Sequence, residues 1–291
     1  MRLVLAIDGG GIRGILPATL LKALQTSGSW PLFDMVSGTS TGGIIAIGIA
    51  AGVPVDKMLN LYVNHGGEVF DRDLASGIVT PKYRADKLEG LLQAVLGGKW
   101  LSEASPEILV PSYSVDNPVG SWFFKSWQAR ADRNFDFKLW QVARATSAAP
   151  TYFPTASVNG KWFIDGGVFA NNPALCAWSD ARKMWPGDEI KVLSLGTGAK
   201  TKEINGPDSA GWGVAQWVTD ISSVFMDGAA DATSYILNEI LGPNLLRCEI
   251  PLSGVNDAFD DASVSNIANL QNLASKFTQA NLDAVRAFVK S

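Results

Sequence analysis

The stretch that most constrains the fold is Gly38-Thr39-Ser40-Thr41-Gly42, a turn set between two apolar runs. Upstream, Phe33-Asp34-Met35-Val36-Ser37 reads as a short buried strand. Downstream, Gly43-Ile44-Ile45-Ala46-Ile47-Gly48-Ile49-Ala50-Ala51 has no polar residue and predicts a helix buried on every side. Such a helix needs other layers packed around it, so the chain must be built about this segment. Gly38 and Gly42 let the turn close without Cβ clashes, and Ser40 stands at its apex in a strained conformation with its hydroxyl clear of the backbone. Strand, glycine-flanked serine and helix together are the context of a nucleophile elbow. The helix start also aims free amides and a positive dipole end at the same point. A Gly/Ser/Thr-rich loop would carry the same letters, so Ser40 needs support from the rest of the chain.

The composition narrows the alternatives. Over 291 residues, 47% hydrophobic and 18% charged content supply a large core, and no stretch reads as a linker. A net charge of −4 with no long lysine/arginine cluster argues against nucleic acid as a partner. Cys176 and Cys248 do not form a disulfide framework and read as buried thiols of a reducing, cytoplasmic compartment. The run 3–7 is too short for a signal-peptide core, and the apolar stretch after Ser40, about ten residues, falls below the roughly 18 that span a bilayer. Ten tryptophans suit core and rim packing, and also a lipid–water boundary.

Residues 3–7 predict a strand that runs into Asp8-Gly9-Gly10-Gly11-Ile12-Arg13-Gly14, followed by a helix over 15–25. Glycine amides converging on a helix start form an anion-binding arrangement. Gly9, Gly11 and Gly14 fit G-x-G-x-x-G with Asp34 about twenty residues on, so a dinucleotide-binding enzyme is one reading. Against it, Asp34 begins a strand instead of ending one, and that strand leads to Ser40. A Walker A loop fails because no Gly-Lys-Ser/Thr occurs. The other reading is an oxyanion hole: the amides of Gly10 and Gly11 face an ester carbonyl at Ser40, and Arg13 adds positive potential.

Further along, helices are expected over 54–63, 86–96 (capped by Asp86), 137–147, 212–225, 229–241 and 263–289, the last as one or two pieces. Strands are expected over 108–115, 121–127, 189–195 and 245–250, with an irregular loop over 71–84 able to overlie the site. The small-residue run 145–150 suggests a close approach. Asn159-Gly160 marks a hairpin whose second strand delivers Asp165-Gly166-Gly167, and Asn171-Asn172-Pro173 opens a helix to about Trp185. The stretch from Gly211 to Trp217 suits core packing or an apolar lid.

An activated serine needs a base. The one histidine, His65, lies in Asn64-His65-Gly66-Gly67 at a helix end, and no Ser–acid–His order fits. A partly buried carboxylate can serve instead. Asp165, at a strand end beside two glycines, meets the conditions; Asp8 is the rival, and its place beside the glycine loop suits holding that loop's amides.

These three blocks, Asp8 to Gly14, Gly38 to Gly42 and Asp165-Gly166-Gly167, resemble in order and spacing the signature blocks of the patatin-like phospholipases. Ala145 to Phe153 and Leu195-Gly196-Thr197-Gly198 look like family segments too, so the likeness covers about residues 3–200. The resemblance implies a dyad without histidine: Ser40 as nucleophile, Asp165 as general base, and Gly9, Gly10 and Gly11 with Arg13 around the oxyanion. Asp8, Gly14, Gly38, Gly42, Gly166 and Gly167 are then supporting motif residues. The expected fold is a three-layer α/β/α sandwich with a largely parallel central sheet. Residues 1–205 form its catalytic core, and 206–291 a mainly helical part packed on the same domain. The expected activity is acyl-ester hydrolysis of membrane phospholipids or lysophospholipids, met at the membrane surface, through an acyl-enzyme. No metal or cofactor is called for, since no histidine/cysteine/carboxylate cluster has ligand spacing. Stand-alone relatives of this kind include regulated bacterial effectors, some activated by a nucleotide. The alternatives are the dinucleotide-binding enzyme and a catalytically silent lipid-binding protein.

Overall fold

In the computed structural model, residues 1–72, 80–199, 204–217 and 221–290 are described. The strands are β1 Arg2–Ile7, β2 Met35–Gly38, β3 Glu107–Ser114, β4 Gly120–Lys125, β5 Ala156–Val158, β6 Lys161–Asp165, β7 Ile190–Leu195 and β8 Leu245–Cys248. The main helices are α1 Ile15–Thr26, α2 Thr41–Ala50, α3 Val55–Val69, α4 Asp86–Leu96, α5 Ser126–Ala131, α6 Leu139–Thr146, α7 Gly167–Ala170 and α8 Ala174–Met184. Two single turns, α9 Gly206–Ser209 and α10 Val214–Trp217, precede the long α11 Ile221–Leu241 and α12 Val264–Lys290.

The sheet runs β5-β6-β3-β2-β1-β7-β8, with β4 paired to β3. β3, β2, β1, β7 and β8 are mutually parallel, while β4, β5 and β6 add the antiparallel pairs. Alternation along β1 explains the layering. Leu3, Leu5 and Ile7 pack into one apolar layer with residues of α1, α2, α3 and α12. Val4 and Ala6 face the other way, toward Ala174, Ala177 and Ala181 of α8 and Leu237 of α11. A strand buried on both faces reads as a continuous apolar run, which is why β1 is legible in the sequence. The architecture is therefore α/β/α about a largely parallel sheet.

Three expectations change in detail. The helix expected over 54–63 extends to Val69, straight through His65, Gly66 and Gly67. Gly66 is kept in the helix because it packs on Ile12; a Cβ there would press into the Ile12 side chain. The helices expected over 212–225 and 229–241 are one unit from Ile221, since Gly228 continues the helix in open surroundings. Asp86 is the first helical residue of α4 and makes no side-chain cap. Much of the loop expected over 71–84 lies outside the described residues. The late edge strand is present as β8, and it extends the sheet in parallel beside β7, so the C-terminal part is not helical alone.

Candidate active site

Three turns leave the carboxyl ends of adjacent parallel strands: Asp8 to Gly11 from β1, Thr39-Ser40 from β2, and Gly196-Thr197-Gly198 from β7. A crevice outside these ends is where open α/β sheets bind ligands.

Ser40 sits immediately before α2 with φ 54° and ψ −122°, a left-handed φ that a side chain rarely adopts. The strain is held by close backbone approach. A Cβ on Gly38 would overlap the Gly42 carbonyl, and one on Gly42 would overlap the carbonyls of Ile7 and Asp8. The neighbouring groups are tied down. Ser40 N donates to Thr146 Oγ1 at 3.0 Å, and Thr146 Oγ1 donates to Pro111 O at 2.6 Å. Thr39 Oγ1 donates to Ala170 O at 2.6 Å, and Thr41 Oγ1 to Tyr62 OH at 2.8 Å.

Asp165 ends β6 and faces Ser40. Its backbone amide donates to Ala148 O at 3.0 Å, and its Oδ1 accepts from Gly167 N at 2.7 Å. The side chain is buried, and loss of water pushes its pKa up to about 6. The Ser40 hydroxyl, the Gly167 amide and the Arg144 guanidinium pull in the opposite direction and only partly offset that push. Asp165 Oδ2 nevertheless has no fully formed hydrogen bond. The serine hydroxyl is near enough to favour the ionised carboxyl without a fully formed bond to Oδ2.

Gly10 and Gly11 line the cavity with Ser40 and Asp165. Among the described residues neither of their amides donates to a backbone carbonyl, whereas Gly9 N donates to Asn171 O at 3.1 Å. Gly9 instead provides closeness: a Cβ there would overlap the Asn171 side chain and press on Ser40 Cβ. Arg13 lies behind the loop. Its guanidinium lies over the Phe259 ring at 4.4 Å, with long contacts to Gly10 O (3.4 Å) and Gly198 O (3.5 Å), and burial lowers its pKa. It props the loop from outside the cavity. Among the described residues Asp8 accepts from no amide of the loop; it is paired with Arg247 (2.6 Å). Gly14 packs against Thr41 and Tyr62, and Gly166 against Pro111, so both mark close approaches.

The cavity beside Ser40 measures about 280 Å³. Its walls are mostly aliphatic and aromatic, from Ile44 of α2, Leu61 and Val69 of α3, Leu88 and Leu92 of α4, and Phe153. Ser40 and Asp165 line the same cavity. An apolar chain whose carbonyl meets Ser40 fits these walls.

The other candidates fall away from this point. His65 Nδ1 lies 3.2 Å from Glu68 Oε1 on the outer face of α3 and does not line the cavity. Asp34 precedes β2, at the opposite end of the sheet from the glycine loop. It accepts from Leu3 N at 2.8 Å and pairs with Arg2, so it is no partner for a ribose bound there. Among the described residues no group of three or more His, Cys, Asp or Glu is placed to hold a metal ion. Sequence reading did not single out Asn171, whose Oδ1 is buried without a partner near Gly9 and Gly167, nor Arg247 or Phe259. Thr146 lay in the small-residue run that suggested a close approach, and that approach is made by Gly43.

The sequence profile of the family described as "Patatin-like phospholipase" matches residues 5–178. Patatin-like protein 2 of Arabidopsis thaliana is 31% identical over 93% of this chain and 79% of its own length. A Solanum tuberosum protein named "Probable inactive patatin-3-Kuras 1" is 30% identical over 91% of this chain and 83% of its own. The "cGAMP-activated phospholipase" of Pseudomonas aeruginosa is 28% identical over 84% and 77%.

Proposed function

This chain belongs to the patatin-like phospholipase family, and on that premise we propose that it cleaves acyl esters of membrane lipids with Ser40 and Asp165 alone as its nucleophile and base. Asp165, with a pKa of about 6, is mostly ionised at neutral pH yet basic enough to accept a proton. Ser40 Oγ attacks the ester carbonyl while its proton passes to Asp165. In this reading the tetrahedral oxyanion is held by the amides of Gly10 and Gly11, two residues that line the cavity. Asp165 then protonates the departing alcohol, leaving Ser40 acylated. Water attacks the acyl-enzyme, gives its proton to Asp165, and releases the fatty acid as Ser40 recovers its own proton.

The observation that carries this reading is the pairing itself: a strained serine and a raised, incompletely bonded carboxylate lining one largely apolar cavity. Residues 206–291 belong to the same working unit in this reading, since β8 completes the sheet behind the loop. Contact with the bilayer is peripheral; among the described residues no helix is long and apolar enough to cross a membrane. A phospholipase A or lysophospholipase specificity is the proposal.

The test is fatty-acid release from mixed phospholipid vesicles by the wild type, Ser40→Ala and Asp165→Asn, with EDTA throughout. Parallel arms add cGAMP, because one relative is named for that activator. Release by the wild type and loss of at least about 10³-fold in both variants is expected. Persistent release by Asp165→Asn would remove the carboxylate from the mechanism. Vesicle binding without release in every arm would favour the silent lipid-binding protein.

A further inference from the structure

The glycine loop has no side chains with which to fix its own course, and its supports come from the far end of the chain. Asp8, the residue before the glycines, receives both guanidinium arms of Arg247: Nη1 donates to Oδ1 at 3.0 Å and Nη2 to Oδ2 at 2.6 Å. Arg247 lies on β8 in register with Ser194 of β7, and Nη1 also donates to Ser194 Oγ at 2.8 Å. Nη2 donates in addition to Glu249 Oε2 at 2.5 Å. Glu249 Oε1 in turn accepts from Gly198 N at 3.0 Å, and Thr197 Oγ1 donates to Gly9 O at 2.6 Å. One guanidinium therefore joins two carboxylates, one at the start of the 8–11 turn and one beneath the 196–198 turn. These two turns meet at Gly10, where a Cβ would overlap the Thr197 side chain.

A two-pronged guanidinium–carboxylate pair fixes a plane as well as a distance. Here it sets the orientation of the last side chain of known direction before the chain enters three glycines. Donors that stabilise an oxyanion act only within a narrow geometry, and small displacements remove much of their effect. Arg247 lies outside residues 5–178, where the family profile matches.

We propose that Arg247 is a positioning residue for ester cleavage, holding the Gly10 and Gly11 amides in line with Ser40 through Asp8 and, by way of Glu249, through the 196–198 turn. The proposal rests on the reading of those amides as the oxyanion donors.

The experiment uses the full chain as wild type, Arg247→Met, Asp8→Asn/Arg247→Met, and Ser40→Ala. Hydrolysis of p-nitrophenyl butyrate and of monomeric dihexanoylphosphatidylcholine gives kcat and KM. Thermal unfolding and hydrogen exchange of the 5–14 segment are followed in parallel. Arg247→Met is expected to lower kcat at least tenfold with KM within about twofold, and to speed exchange in 5–14. It also strands a buried carboxylate and so lowers Tm. The double variant removes that carboxylate: Tm should recover while kcat stays low, a split that a merely structural role would not produce. Recovery of kcat together with Tm would overturn the proposal, as would a kcat in Arg247→Met within twofold of wild type. Should Arg247→Met fail to fold, Arg247→Lys keeps the charge without the fork and is expected to show the same loss of kcat. Activity that survives in Ser40→Ala, or is absent from the wild type, would sink the hydrolase reading instead. The exchange of 5–14 then still decides whether Arg247 holds the loop, and unchanged exchange refutes it.

Discussion

At the scale of single residues, the raised pKa of Asp165 sets what the proposed mechanism expects of activity and what burial expects of stability. Its carboxyl titrates near 6 in the folded protein against 3.8 without burial. The base form is lost as pH falls through 6, so kcat/KM should show an acid limb centred there. Asp8, also raised to about 6 because its burial outweighs its Arg247 partner, titrates over the same range and should steepen that limb beyond one proton. For stability the sign is reversed. Between 3.8 and 6 the folded chain holds a proton on Asp165 that the unfolded chain has released, so this group's contribution falls as pH rises through that window. Asp165→Asn should therefore raise stability at pH 8 by about 3 kcal/mol, and the advantage should vanish near pH 3.5. Thermal unfolding of both proteins at the two pH values checks this; an equal or lower Tm for the variant at pH 8 would contradict a costly buried carboxylate. The candidate pair itself was legible in sequence, because Gly38, Gly42 and Gly166 mark turns with no room for a Cβ. The finer division of roles was not. Gly9 uses its amide on Asn171 O and Arg13 lies behind the loop, facts that depend on contacts made by residues 162 or more positions away.

At the scale of elements, the glycines divide into those that permit contact and those that merely occur. Gly42 at the start of α2 lies against the backbone of β1, which cannot retreat without moving the central sheet. Gly42→Ala should cost more than about 3 kcal/mol or prevent folding. Gly90 in the middle of α4 has open space where its Cβ would be. Gly90→Ala should stabilise by about 0.5–1 kcal/mol through helix propensity. Urea unfolding of the pair checks both, and a Gly90 variant that loses stability would show α4 to be packed more tightly than its surroundings indicate. The same distinction explains where sequence reading of the elements stopped short. Gly66-Gly67 and Gly228 looked like helix ends, yet both helices continue, since Gly66 is needed for the approach of Ile12 and the tertiary packing of α3 outweighs its weak propensity.

At the scale of the whole molecule, α12 covers α1 and closes the same apolar layer that holds α2. Ile267, Leu270, Ala274 and Val285 are buried there, together with residues of α1, α2 and α3. Ending the chain at 262 should therefore give a protein without a cooperative unfolding transition and without ester hydrolysis, as near-UV circular dichroism and the fatty-acid assay would show. A truncated chain that melts sharply would mean that α12 is an accessory layer. The sequence by itself determined the local units: a buried strand before each glycine turn, an apolar α2, the Asn159-Gly160 hairpin and the absence of a placed histidine base. The first three rest on period, chain stiffness and side-chain chemistry, which act over a few residues, and the histidine argument rests only on there being one histidine in the chain. Only the tertiary structure decided which amides stay open, which carboxylate pairs with Arg247 and which loses its water at Ser40. Burial and ion pairing across more than a hundred residues depend on the order in which strands join the sheet. No local pattern encodes that order.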